Sequence, residues 1–344
     1  MRKRIALLAA AGLLAGGVTA CGTGSDGLPG KVGVILPDTA TSQRWDSYDK
    51  KYLRAAFDRA GVTADIQNAQ GDKNQFLTLA DGMIADGVTV LMIVNLDAGT
   101  GRAVLGRARA AGVHTIDYDR LTPDGGADYH VSFDNVAVGR LQGEGLIKCL
   151  AGAKADRPMV AALNGSPTDN NATLFAEGYN AVLDPRYADG TFVKGPDESV
   201  PAWDNAQAAT IFEQMLTEHR QIRGVLAAND GLSNAVISVL RKQGLNGRIP
   251  VTGQDATVQG LRNILAGDQC MTVYKAIEDE AEVAAGLAVA LARGDREPAT
   301  PTVLLTPQAI YQDNVNDVVK DGFVTKEQLC TGEFARLCTD HGVS

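Results

Sequence analysis

Residues 31–61 read KVGVILPDTATSQRWDSYDKKYLRAAFDRAG. An almost unbroken apolar run from Lys31 to Leu36 stops at Pro37 and gives way to a polar turn. Trp45, Tyr48, Tyr52 and Ala56 then recur at the spacing of one helix face, and Gly61 closes the unit. A strand that lacks polar alternation belongs in a sheet covered on both faces. The same unit of apolar run, Gly/Asn/Asp turn and amphipathic stretch repeats along the chain. Strands are expected at 31–36, 63–67, 89–94, 113–118, 130–133, 159–163, 191–194, 224–227, 250–252 and 271–274, and a helix at 278–293 before Gly294. Alternating strands and helices predict parallel sheets with right-handed crossovers and helices on both faces. Ten strands are more than one sheet of ordinary size holds, so the expectation is an α/β fold of two doubly wound parallel-sheet lobes.

The 344 residues are 45% hydrophobic and 21% charged, a globular composition with room for two domains. Net charge is −9, and setting aside Arg2, Lys3 and Arg4 in the acid-free first twenty residues leaves −12 for the rest. A surface that acidic is a poor match for phosphate backbones, so nucleic acid is not expected as a partner. The cationic start, the uncharged run 5–18 and the small residues up to Ala20 read as a secretory signal peptide over 1–20. Val18-Thr19-Ala20-Cys21 resembles the lipobox of bacterial lipoproteins and makes Cys21 the candidate for lipidation. Residues 21–30 (CGTGSDGLPG) then read as a flexible tether. The expected location is the outer face of the cytoplasmic membrane, with the membrane contacted through the lipid anchor only.

Cys149, Cys270, Cys330 and Cys338 remain, and in an exported chain they suggest two disulfides from three possible connectivities. Cys330 and Cys338 stand eight apart, so pairing them closes a small loop and leaves Cys149 with Cys270. No CxxC pair occurs and the four histidines are scattered, so no metal site is expected.

In doubly wound sheets, ligands sit beyond the carboxyl ends of the strands. Six successive strand exits carry Arg, Asp, Asn or Lys: Arg44, Asp119-Arg120, Asp169-Asn170-Asn171, Asn229-Asp230, Asp255 and Lys275. Singly, Asp169 or Asn229 reads equally well as a helix N-cap, and Lys275 as a solvated surface residue. Together they form one predicted edge, to which Trp45 and Trp203, the chain's two tryptophans, are added. Planar carboxylate, amide and guanidinium groups suit the adjacent hydroxyls of a sugar, and an indole suits its C–H face. Past residue 30 neither a Walker loop nor a G-x-G-x-x-G turn occurs, which argues against a phosphate ligand.

Several motifs now carry a family resemblance. They are Gln43-Arg44-Trp45, Asp117-Tyr118-Asp119-Arg120, Val131-Ser132-Phe133-Asp134-Asn135, Gly165-Ser166-Pro167-Thr168-Asp169-Asn170-Asn171-Ala172, Ala228-Asn229-Asp230, Gly253-Gln254-Asp255-Ala256 and Met271-Thr272-Val273-Tyr274-Lys275. In these blocks, in this order over the mature body, the chain resembles the type I periplasmic sugar-binding proteins, and within them the D-xylose-binding branch of bacterial ABC importers. The resemblance implies a sugar pocket of Arg44, Trp45, Arg120, Asp169, Asn171, Trp203, Asn229, Asp255 and Lys275. The two indoles would stack on opposite ring faces, with Asp119, Asn170 and Asp230 orienting or capping nearby. Around Trp203 the wording GPDESVPAWD departs from the family's. The resemblance also implies a three-strand hinge between an N-terminal lobe of 31–134 plus 272–302 and a C-terminal lobe of 135–271 plus 303–335, with a tail at 336–344. It implies a monomer without cofactor, whose partners are a monosaccharide and the permease of an ABC importer.

Three other readings compete. A LacI-type regulator shares the fold but needs a DNA-reading helix-turn-helix where this chain has a signal peptide and tether. An exported glycoside hydrolase would use a carboxylate pair such as Asp169 and Asp255, yet no G-x-S-x-G or comparable nucleophile motif is present. A binder of another aldose such as glucose, or a sugar-sensing receptor subunit, would use the same residues.

Overall fold

The computed structural model describes residues 30–39, 42, 44–154, 156–295 and 300–344. The signal peptide, Cys21 and most of the tether lie outside the described residues.

The first lobe is built from β1 (Lys31–Leu36), α1 (Lys50–Ala60), β2 (Ala64–Asn68), α2 (Lys73–Ala85), β3 (Val88–Ile93), α3 (Ala98–Ala110), β4 (His114–Tyr118) and β5 (Tyr129–Phe133). β1 and β3 are almost wholly buried, as their lack of polar alternation requires; β5 is buried throughout as well, although His130 and Ser132 alternate with its apolar residues. Helix starts are fixed locally: Asp72 and Asp97 each accept two backbone N–H bonds at the N-caps of α2 and α3.

The chain then enters the second lobe through α4 (Asn135–Gly152), β6 (Met159–Asn164), α5 (Asn170–Ala188), β7 (Val193–Ser199), α6 (Asn205–Glu218), β8 (Ile222–Ala227), α7 (Asp230–Lys242) and α8 (Val258–Leu265). After β9 (Thr272–Tyr274) it returns with α9 (Ile277–Arg293) and β10 (Thr302–Leu305), and crosses again at β11 (Gln308–Ile310). It ends in α10 (Val315–Lys320), α11 (Lys326–Leu329) and α12 (Phe334–Asp340).

The first sheet has the order β10-β5-β4-β3-β1-β2, all parallel. The second has the order β7-β6-β8, also parallel, and continues through a bridge from Val225 to Val251. Backbone bonds from Cys270 N to Val251 O, Val273 N to Gly253 O and Asp255 N to Val273 O then bring β9 alongside, and β11 pairs antiparallel to β9. Both sheets therefore follow the same 2-1-3 progression. Three connections join the lobes: β5 to α4, β9 to α9 and β10 to β11.

Several expectations are corrected. The second lobe was to take the chain from 303, but β10 runs parallel to β5 in the first sheet, with Leu304 facing Ser132 and Leu305 facing Phe133. The crossing therefore falls after 305, and because Thr272–Tyr274, expected in the first lobe, bond with 253–255 and β11, the return falls after 274 rather than at 272. The stretch 250–252 supplies only the bridge at Val251, because Pro250 has no N–H to give a ladder. β7 continues past 194 through Gly195-Pro196, which an edge strand tolerates. Residues 336–344 are not a separate tail: Cys338 and Val343 are buried, and Arg262 of α8 donates to the carbonyls of Gln328 and Leu329. Cys149 is bonded to Cys270 and Cys330 to Cys338. No described helix is long and apolar enough to cross a membrane.

Candidate functional site

The carboxyl ends of both sheets meet in one cleft. On the first-lobe side, a π-helical turn, Trp45–Asp49, runs into α1 and starts at Arg44. The Arg44 guanidinium is buried and holds three carboxylates. Nε and Nη2 donate to Asp49 at 3.0 and 2.8 Å, Nη1 to Asp119 at 2.7 Å, and Nη2 to Glu280 of α9 at 2.8 Å. Asp49 also accepts from the Tyr118 hydroxyl at 2.7 Å. Asp119 and Glu280, both buried at this cation, shift in opposite directions. Burial would push Asp119 up, but Arg44, then Lys275 and Arg120, bring it to about 2. Burial pushes Glu280 well above the usual range against the pull of Arg44, and Asp119 and Asp49 add to the rise. Four of Arg44's five N–H groups are engaged, which leaves one Nη1 proton for the cleft.

Lys275, at the end of β9, lies 3.3 Å from Asp255 and 3.9 Å from Asp119, and is buried with both. Arg120 reaches over the Trp45 ring, its Cζ 5.3 Å from the centroid, and meets Asp169 of the facing wall at 2.9 Å. The loop that carries Asp119 and Arg120 is held by Asp117, which accepts the Thr122 N–H and hydroxyl at 2.7 and 2.8 Å. Burial raises Asp117 to about 6.

The second-lobe wall is made by helix starts and turns. Asp169 caps α5 through the Asn171 N–H, and its other oxygen takes the Trp203 indole N–H at 3.1 Å as well as Arg120. Asn171 donates to Asp119 at 2.9 Å and accepts from Asn135. Asn229 caps α7 through the Leu232 N–H. Trp203 ends the 3-10 turn Pro201–Trp203 and lies flat enough on Gly165 that any Cβ there would collide with its ring. Asp119, Trp203 and Asp255 all have positive φ, at 59°, 57° and 99°. Non-glycine residues hold such angles only where the surroundings impose them, and here they aim three side chains at one point.

Arg44, Trp45, Asp119, Arg120, Asp169, Asn171, Trp203, Asn229, Asp255 and Lys275 line this one cavity, with Ser42, Phe175 and Gln254. The walls are in contact, leaving about 30 Å³ free, room for one water. Trp45 Nε1 and Gln254 Oε1 have no hydrogen-bond partner among the described residues. Two of the sequence candidates lie elsewhere. Asn170 points into a separate hollow at the cleft mouth with Pro167 and Thr168, because it starts α5 one residue past the cap. Asp230 is buried behind the site, where it accepts from Gln269, Thr272, and the Thr257 N–H and hydroxyl at 2.8–3.0 Å. It organises the turn that carries Asp255. Asp49, Glu280, Gln254 and Phe175 were not singled out from sequence.

The chain matches the model of the periplasmic binding protein domain over residues 32–296 and belongs to that family. It is a binding protein and not an enzyme. The D-xylose-binding periplasmic protein of Haemophilus influenzae is 33% identical over 311 residues, covering 87% of this chain and 92% of the relative. The multiple sugar-binding periplasmic receptor ChvE of Rhizobium radiobacter is 32% identical over 87% of this chain and 92% of its own length. Among solved structures, a carbohydrate transporter solute-binding protein from Chloroflexus aurantiacus in complex with D-glucose superposes with a TM-score of 0.78. It is 29% identical over 86% of this chain and 97% of that one.

Proposed function

We propose that the chain is the solute-binding lipoprotein of a sugar ABC importer, exported and anchored through Cys21, which takes one D-xylose between its lobes and presents it to the permease. The observation that carries this reading is the cleft itself: two indoles, three cations, and carboxylate and amide oxygens converge on one cavity. The sugar enters by taking the place of the contacts Arg120 makes with Trp45 and Asp169, so that Trp45 and Trp203 cover the two ring faces. Its hydroxyls meet Asp169, Asn171, Asn229 and Asp255, with Arg44, Arg120 and Lys275 as donors. Because both walls contribute, the ligand favours the closed form, and that differential affinity is what the permease reads. A glucose-binding alternative is favoured by the D-glucose complex of the structural relative.

The test is calorimetric titration of residues 22–344 with xylose, glucose, galactose, arabinose and ribose. One-to-one binding that is tightest for xylose supports the reading; tightest binding of glucose moves the ligand, and silence across the panel removes the sugar assignment. Cys21→Ser is expected to release the protein from the membrane fraction, and retention would contradict the anchor.

A further inference from the structure

Far from the cleft, at the opposite end of the second sheet, a cavity of about 410 Å³ opens between α6, α7 and the start of β8. Its floor is the aliphatic set Leu216, Val239 and Ile249, all buried. Its rim carries Arg220, Arg223 and Arg248, all exposed, with Glu213 the one carboxylate among its lining residues. Arg223 turns Nη1 back onto the carbonyls of Arg220 and Ile222. The Arg220 and Arg248 guanidiniums have no hydrogen bond or ion pair among the described residues. Elsewhere on this acidic surface, several arginines pair with carboxylates, as Arg59 does with Glu282, Arg107 with Asp81 and Arg241 with Asp268, and others, such as Arg54, Arg102 and Arg109, turn onto backbone carbonyls. A cationic rim over an apolar hollow is therefore a local departure from the rest of the molecule.

We propose that this hollow binds a free medium-chain carboxylate, with an apolar body of about ten carbons on the aliphatic floor and the carboxylate on Arg220 and Arg248. The volume is that of a small-molecule pocket, and a guanidinium fork matches a carboxylate in charge and shape. A sugar or a nucleobase would look for an aromatic platform, which this lining lacks. A two-chain lipid exceeds the space. The site stands apart from the interlobe cleft and does not depend on the sugar assignment.

The probe is sodium decanoate, titrated by calorimetry into the exported protein, with decyltrimethylammonium as a cation of equal chain length. Saturable one-to-one decanoate binding with a Kd below about 100 μM and no response to the cation is the expected result. The surface double variant Arg220→Gln/Arg248→Gln should weaken decanoate at least tenfold and leave the sugar titration unchanged. No saturable binding by 1 mM, equal binding of both amphiphiles, or an unaffected double variant each overturns the proposal. So does arginine-dependent sedimentation with phosphatidylglycerol vesicles without decanoate binding, which would make the patch a lipid-surface contact.

Discussion

The two walls of the cleft are held in place by different forces. On the first-lobe wall, Arg44 is clamped by Asp49, Asp119 and Glu280, residues drawn from three distant parts of the chain and all buried. On the second-lobe wall, Asp169 and Asn229 are positioned by capping the helices they precede, and Trp203 and Asp255 by turns with positive φ. One wall is an electrostatic cluster in low dielectric, where every member depends on the others. The other is mainly local backbone geometry, its side chains linked to one another chiefly by the Trp203–Asp169 hydrogen bond. Substitutions should therefore spread their damage on the first wall and confine it on the second.

The most severe test of that contrast is Arg44→Ala, which leaves Asp49 and Asp119 buried without their guanidinium. Unfolding in urea should show a loss of about 3–5 kcal/mol, and a loss below 1 kcal/mol would end the cluster interpretation. Asp255→Ala, on the other wall, should cost about 1.5–3 kcal/mol of sugar affinity, a factor of ten to more than a hundred in Kd, with a native circular dichroism spectrum. Unchanged affinity would take Asp255 out of the pocket. Asp230 links the two ideas, being a buried carboxyl that supports a turn. Burial raises it to about 7; hydrogen bonds from Gln269, Thr257 and Thr272 oppose the rise and Asp255 adds to it. Its folded state thus keeps a proton that the unfolded chain has released above pH ~4. Stability should fall between about pH 4 and 7, by at most about 1.4 kcal/mol per pH unit, and Asp230→Asn should flatten that slope. The smallest effect is expected for Asp204→Ala, which removes the N-cap of α6 beside Trp203. About 1 kcal/mol of stability should go, and a substantially larger loss would mean that the second wall is less modular than its geometry implies.

The same contrast explains what could be read from the chain before its structure. Helix caps and strand exits are local, so Asp169, Asn229 and Asp255 stand out as residues following apolar runs. Asp49 and Glu280 do not. Asp49 falls among the polar positions of the α1 region, and Glu280 sits in an acidic first turn with Glu278 and Asp279, where it reads as a dipole partner exposed to solvent. Asp49 reaches Arg44 through the π-helical turn, five residues on, whereas only tertiary packing brings in Glu280, 236 residues away. The fold class follows from buried parallel strands, whereas β10 and β11 are only four and three residues long and partly exposed, too short to stand out as strands. Positive φ at Trp203 leaves no signature in residue type, so nothing in GPDESVPAWD announces the turn that carries the indole into the cleft.

The placement of β10 has a consequence for how this molecule is made. Delivered from its N-terminus, the chain completes five strands of the first sheet and must then carry β5 as an open edge while all of 134–301 follows. α9, which packs on α1 and brings Glu280 to Arg44, arrives only shortly before β10. Neither lobe is a continuous folding unit, and the pairings that close the first one span the greatest sequence distances in the protein. Vectorial folding is thus suspended until the last eighth of the chain appears, and a product cut short before residue 302 keeps an unsealed strand that invites edge-to-edge association.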